Sequence, residues 1–404
     1  MDPRAPAIKV LVCAQTDVGR ARKTNEDACS VTELVTGTLI DAIGADRTVE
    51  CGTKGVLLAV SDGMGGHQAG EVASALVLES LQRELSQDPK VPIHKHLEDA
   101  VHRANRRVHN AARSAERHGM GATLTAIFIR GTEAYIAEVG DSRGYLLRNG
   151  RLRQVTRDQS MVQMLVDQGV MSKEDARRAP GKNVILQAVG LAPDVRVAIG
   201  KLDLRRGDRL LLCSDGVTNQ INDDELREIL TRSEPREACE TMIALANDRG
   251  GEDNETVIVA DVLGEELPEV DEYETVTSTF EILQAFEAHP AGKPRRRQGG
   301  QPIDGAAAVP DQFTPKEGST TPVRARAVVV EEPTPMLEKL PEPPAPVSAA
   351  PLPPDDEPEI EISGPTEVPE QSPRPSGPQP PAQKSGGWIS SLIGRLSRSD
   401  KPKK

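Results

Sequence analysis

Residues 55–85 read GVLLAVSDGMGGHQAGEVASALVLESLQREL, and the spacing of the apolar side chains changes part-way along. Val56 to Val60 form a short unbroken apolar run, closed by a polar turn at Ser61, Asp62 and Gly63, which is the pattern of a strand. From Gln68 to Leu85 the apolar positions become Ala69, Ala73, Leu76, Val77, Leu81 and Leu85, a helical spacing. A strand, an Asp-Gly turn and a helix therefore follow one another.

Upstream, residues 8–15 are another apolar run. Downstream, 94–117 predict a long helix with Leu97, Val101, Ala104 and Val108 on one face. Strands are expected at 122–129, 133–139 and 144–147, with Asn149-Gly150 as a hairpin turn. A short helix is expected at 159–168, strands at 195–199 and 208–213, helices at 223–230 and 235–247, and a closing β-branched strand at 255–262. The strands come in groups separated by helix pairs. That order predicts an α+β layered sandwich of antiparallel sheets with helices outside, rather than a doubly wound parallel sheet.

The chain has 404 residues with 62 acidic and 49 basic side chains, a net charge of −13. Of its 32 Pro, 25 follow Gly264, so a globular part (1–264) gives way to a Pro-rich tail. Aromatics are 2% of residues, which leaves no base-stacking surface, and the acidity opposes phosphate-backbone binding; no nucleic acid partner is expected. No apolar run reaches the ~18 residues of a membrane span, and the first ten residues lack a signal peptide's apolar core. Cys13, Cys29, Cys51, Cys213 and Cys239 show no paired spacing, which fits reduced thiols in a cytoplasmic protein.

One pattern recurs. Asp27, Asp62, Asp141, Asp215 and Asp253 each sit at the end of an apolar run, and all but Asp27 lie close to Gly. Any one of them alone reads as a capped turn. Five on one strand scaffold would bring carboxylates together, and like charges at close range need a cation. Hard oxygen donors suit Mg²⁺ or Mn²⁺, and the scarcity of His argues against zinc.

The blocks RKTNED (22–27), SDGMGGHQAGEVAS (61–74), MGATLTA (120–126), GDSR (140–143), SDGV (214–217) and GGEDNETVIV (250–259) occur in the order seen in the metal-dependent protein phosphatases of type 2C. The chain resembles the bacterial branch of that family over roughly residues 8–263. The resemblance implies a four-layer α/β/β/α sandwich of two antiparallel sheets flanked by helices. It also implies hydrolysis of phosphoserine or phosphothreonine on proteins by a metal-activated water, opposing bacterial Ser/Thr kinases. The alternative is a pseudo-phosphatase that binds phosphoproteins without turnover.

Carried over by position, Asp62 resembles the carboxylate that bridges two metals, and the Gly63 carbonyl completes the second metal's shell. Asp215 and Asp253 resemble ligands of the first metal. Glu26 and Asp27 match the acidic pair around the second, acting partly through water. Asp141, with Asp215, matches a third metal site of bacterial members, and Arg22 the phosphate-binding arginine. Residues 159–190 resemble a mobile flap. Animal members carry His directly after the Asp-Gly; here Met64 stands there and His67 follows. His67 has two readings, leaving-group acid or structural hydrogen-bonding residue.

The tail, 265–386, is expected to be a disordered linker. Thr275, Thr277 and Thr279 stand among acidic residues, either as plain linker or as kinase sites that dock a phosphothreonine-reading module. Lys293 and Arg295–Arg297 read as a solvated charge run. In 387–404, Trp388, Ile389, Leu392, Ile393 and Leu396 form one apolar helical face beside basic residues. That segment reads either as a frayed end or as a dock on anionic lipid or a partner groove.

Overall fold

The computed structural model describes residues 8–65, 69–114, 117–271 and 274–287. The chain runs β1 (Lys9–Asp17), β2 (Asp27–Glu33), β3 (Thr38–Leu39), β4 (Arg47–Glu50), β5 (Val56–Met64), α1 (Ala69–Leu85) and α2 (Ile93–Ala111). It continues through β6 (Gly121–Ala122), β7 (Leu124–Arg130), β8 (Glu133–Val139), β9 (Arg143–Arg148), β10 (Arg151–Gln154), α3 (Met161–Asp167) and α4 (Lys173–Arg178). Then come β11 (Ala198–Asp203), β12 (Arg209–Cys213), α5 (Asp215–Thr218), α6 (Asp223–Arg232), α7 (Pro235–Asp248) and β13 (Glu255–Leu263). Last are α8 (Val276–Thr279) and β14 (Phe280–Gln284).

One sheet has the order β10-β9-β12-β13-β1-β4; the other runs β14-β11-β8-β7-β5-β2-β3, with β6 paired to β5. The named strands pair antiparallel throughout. Side chains alternate across each strand, so each sheet feeds two cores. Val12, Leu58, Val60, Ile127, Leu212 and Ile258 fill the space between the sheets. Leu57, Leu81, Leu97 and Phe128 pack α1 and α2 onto the second sheet. Leu211, Met242, Val257 and Val259 pack α7 onto the first. The four-layer α/β/β/α sandwich is thus present, and burial on both faces explains why its strands read as unbroken apolar runs.

Several expected boundaries move. The helix expected over 94–117 stops at Ala111, because residues 112–114 leave it in a turn and 117–120 lead into β6. The strand expected at 195–199 lies at Ala198–Asp203, where polar Lys201 and Asp203 occupy strand positions facing Tyr135 and Glu133. β2 was not expected at all.

The expected domain end at Gly264 is also corrected. Residues 274–284 return to the fold, and β14 pairs with β11. The Phe280 ring packs against Gly200, where a Cβ would stand 2.7 Å from its Cε2. Close by, the Arg148 guanidinium is 2% exposed and pairs with fully buried Asp208 at 2.6 Å. Arg148 also donates to Thr279 Oγ1 (2.6 Å), and Arg205 pairs with Glu274 at 2.7 Å. The composition of 265–287 misleads because five strand residues in an acidic stretch need only an open sheet edge and one arginine to dock. The remaining tail, from 288, including the basic run and the 387–404 segment, lies outside the described residues.

Candidate metal centre

β2 and β5 are neighbours, and their register sets Asp27 directly opposite Asp62. Asp215 opens α5 at the end of β12. Asp253 lies in the turn before β13, and Asp141 in the turn between β8 and β9. Strand ends from both sheets therefore carry these carboxylates toward one edge of the sandwich, where their charges act on one another.

Their supports are polar groups on other segments. Asp27 is 1% exposed, and its Oδ2 accepts a hydrogen bond from Ser214 Oγ (2.7 Å). Thr123 Oγ1 accepts from the Asp62 amide (2.9 Å) and bonds Ser142 Oγ (2.8 Å). Asn219 Nδ2 donates to Asp215 Oδ2 (3.0 Å). Asn254 holds the β1–β2 loop at three points: its Oδ1 accepts from the Glu26 amide, and its Nδ2 donates to the carbonyls of Val18 and Thr24. Gly63 is packed so closely that a Cβ there would lie 2.1 Å from Gly70 O and 2.6 Å from Glu26 O. No side chain fits there, which keeps the Glu26 and Gly63 main chains in contact; Gly63 N donates to Glu26 O (3.1 Å).

Five of these carboxyls bind their protons more tightly than usual. Burial pushes Asp27 up to about 7, against hydrogen bonds from Thr256 and Ser214. Burial and then the Asp253 charge push Asp215 up to about 6. Asp62 is raised well above the usual range by burial, then by Asp27, Asp215 and Asp141. Asp141 is raised by burial and then by Asp215. Glu26 is raised mainly by burial, with Arg22 opposing. Arg22 Nη2 donates to Asp253 Oδ2 at 2.8 Å, and half of the Arg22 side chain remains exposed.

The residues fit a divalent cation on two observations. Asp27 Oδ1 is buried without a hydrogen-bond partner, and an unmatched buried carboxylate oxygen is costly unless a cation or proton meets it. The gathered donors are hard oxygens that repel one another until a positive charge is added. Among the described residues no three His, Cys, Asp or Glu side chains close into a ready-made cage. The donors are gathered but not closed, so solvent and main-chain oxygens would complete any shell. His67 falls outside the described residues.

A thiol route is disfavoured. All five cysteines are buried, and burial pushes Cys29, Cys51 and Cys213 up to about 12. Sequence reading missed Ser214, Thr123, Asn219 and Asn254 as supporting residues. Only the position of Asn254, directly after Asp253, hinted at a role.

The raised carboxyls have a consequence for stability. A carboxyl that binds its proton more tightly when folded stabilises the fold below its unfolded pKa, and the contribution fades as pH rises through the folded value. For Asp27 that window runs from 3.8 to about 7. The stability of the metal-free wild type relative to Asp27→Asn should therefore fall across this window in urea titrations. A difference independent of pH would contradict the burial of this carboxylate.

Comparison with known proteins places the chain. Residues 41–247 match the family profile described as protein phosphatase 2C. A serine/threonine protein phosphatase, PstP of Mycobacterium tuberculosis, is 41% identical over 208 residues, which are 51% of this chain and 40% of that protein. The match thus spans less than half of the mycobacterial relative. A serine/threonine phosphatase of Listeria innocua is 37% identical over 253 residues, 61% of this chain and 94% of the relative. The crystal structure of Mycobacterium tuberculosis PstP is similar with a TM-score of 0.55 at 36% identity, covering 63% of this chain and 99% of that one. A PstP catalytic domain in complex with two manganese ions is similar with a TM-score of 0.54 at 36% identity, covering 63% and 99%. With the six sequence blocks on one sandwich and its edge lined by carboxylates, the chain belongs to the protein phosphatase 2C family.

Proposed function

We propose that the chain is a divalent-metal-dependent protein serine/threonine phosphatase. The observation that carries this reading is the meeting of Asp27, Asp62 and Asp215, all with raised proton affinity, beside a half-exposed Arg22. Glu26, Asp27, Asp62, the Gly63 carbonyl, Asp215 and Asp253 would hold two Mn²⁺ or Mg²⁺ ions, and Asp141 with Asp215 a third. Such ions supply Lewis-acid charge and make a coordinated water more acidic.

The chain's own residues do the rest. Asp253 orients the Arg22 guanidinium, whose free donors can take two oxygens of a phosphoryl group in a planar fork. Ser214, Asn219 and Thr123 fix the carboxylates before substrate arrives, so little reorganisation is needed during reaction. The products are a serine or threonine hydroxyl and inorganic phosphate. Phosphoproteins are the substrates, and the enzyme would oppose Ser/Thr kinases in the cytoplasm. Thr275 and Thr277 are exposed and available to a kinase and a phosphothreonine reader, whereas Thr279 is buried against Arg148. No helix among the described residues is long and apolar enough to cross a membrane. Docking of 387–404 on lipid or a partner belongs to the same proposal.

Hydrolysis of a phosphothreonine peptide with Mn²⁺, without it, and after EDTA is the test. Undiminished turnover in EDTA would refute metal dependence, and no turnover with Mn²⁺ would refute the enzyme. Arg22→Lys should lower kcat/KM about 10- to 100-fold, because an ammonium cannot reproduce the fork. A value near wild type would remove Arg22 from phosphate binding.

A further inference from the structure

The segment beyond the expected domain end is linked by hydrogen bonds to the root of the flap. Arg196 joins them. Its Nη1 donates to the Glu287 carbonyl at 2.7 Å, and its guanidinium lies 5.5 Å from the centre of the Phe286 ring. Its main chain is gripped by Gln187, whose Oε1 accepts from Arg196 N (3.1 Å) and whose Nε2 donates to Arg196 O. Gln187 Nε2 also donates to Gln159 Oε1 at 2.8 Å.

Gln159 is 1% exposed, and all its polar atoms are used. Oε1 also accepts from Gly140 N (2.9 Å), and Nε2 donates to Glu138 O (3.2 Å). Its main-chain N donates to Gly140 O (2.8 Å), and its carbonyl accepts from Leu186 N (2.7 Å). Met161 N donates to Val184 O (2.8 Å), which ties the entering and leaving segments of the flap together. One buried glutamine therefore joins both ends of the flap to the turn that carries Asp141.

We propose that Gln159 and Gln187 are positioning residues, and that docking of residues 280–287 through Arg196 holds the flap root and the Asp141 turn in one arrangement. This rests on the phosphatase reading above. Gln159 is the buried member of the network, and any arrangement that breaks its bonds leaves its amide unmatched, which favours one arrangement of the root. Detachment of residues 286–287 frees the Arg196 side chain, loosens the main chain that Gln187 holds, and so reaches Gln159. The tail would then act on the reaction from a sheet edge away from the carboxylates.

The test combines amide hydrogen exchange and peptide turnover on the full chain. Arg196→Ala and Gln187→Glu are compared with wild type. Gln187→Glu still accepts from Arg196 N but cannot donate to Gln159. Each variant should speed exchange at Leu186 and Gln159 about fivefold, the factor carried by one hydrogen bond, and the double variant no more than that. Exchange at Ile127 should stay unchanged. Turnover, kcat, should fall by a similar factor, with Arg196→Lys recovering most of it. Unchanged exchange at Leu186 in Arg196→Ala overturns the linkage. Faster exchange with unchanged kcat overturns the positioning role. A wild type without turnover would defeat the phosphatase reading and the positioning role together, while the exchange data would still decide the linkage.

Discussion

Asp62→Asn should lower kcat by at least about 10³-fold while making the metal-free protein more stable. The two effects have opposite signs for one reason. Asp62 faces Asp27 across the β2–β5 register, and Asp215 and Asp141 add further negative charge. Asn removes a carboxyl that the metal-free fold must keep protonated at a cost above its unfolded pKa, and it deprives a cation of its central donor. Mn²⁺ should raise the wild-type melting temperature at pH 7 and leave Asp62→Asn nearly unmoved. Asp215→Ala should also abolish turnover. Near-normal hydrolysis of phosphothreonine peptide by either variant would remove the carboxylate cluster from the reaction.

The second large effect concerns stability. Asp208→Ala should cost about 3–5 kcal/mol, because it leaves the Arg148 charge buried without its main partner. Among the described residues, Glu274 at 3.5 Å is the one other carboxylate Arg148 pairs with, and its remaining acceptors, Thr279 Oγ1 and the Asp203 carbonyl, are neutral. Replacing both partners with apolar residues of similar volume should cost far less, since no uncompensated charge then remains. Urea unfolding of the single and double variants decides this. A loss below about 1 kcal/mol for Asp208→Ala would mean that water reaches Arg148. The same experiment reports on the C-terminal segment, because Arg148 also donates to Thr279.

Much of the candidate site was legible because its proposed ligands are single acidic residues at the ends of apolar runs, as at Asp62 and Asp215. The two-sheet architecture was legible because grouped strands without βαβ alternation leave few other solutions. Other elements gave no such signal. β2 reads DACSVTE, with Ser30 and Thr32 buried among sheet neighbours, so its polar residues disguise a central strand. Ser214, Thr123 and Asn254 act through hydrogen bonds to residues remote in sequence; Asn254 reaches Val18 and Thr24. β14 was hidden because its five residues are averaged into an acidic, Pro-rich region.

The pairing of β14 with β11 also has a bearing on how the chain is made. β11 is synthesised before β12, α6, α7 and β13, yet its outer hydrogen-bonding row is matched only when residues 280–284 appear. Until then the nascent sheet carries an unprotected strand that other chains can pair with. Low-temperature expression or a chaperone that shields extended backbone should therefore improve the yield of soluble protein, and a shortened chain ending at Gly264 should gain most from either.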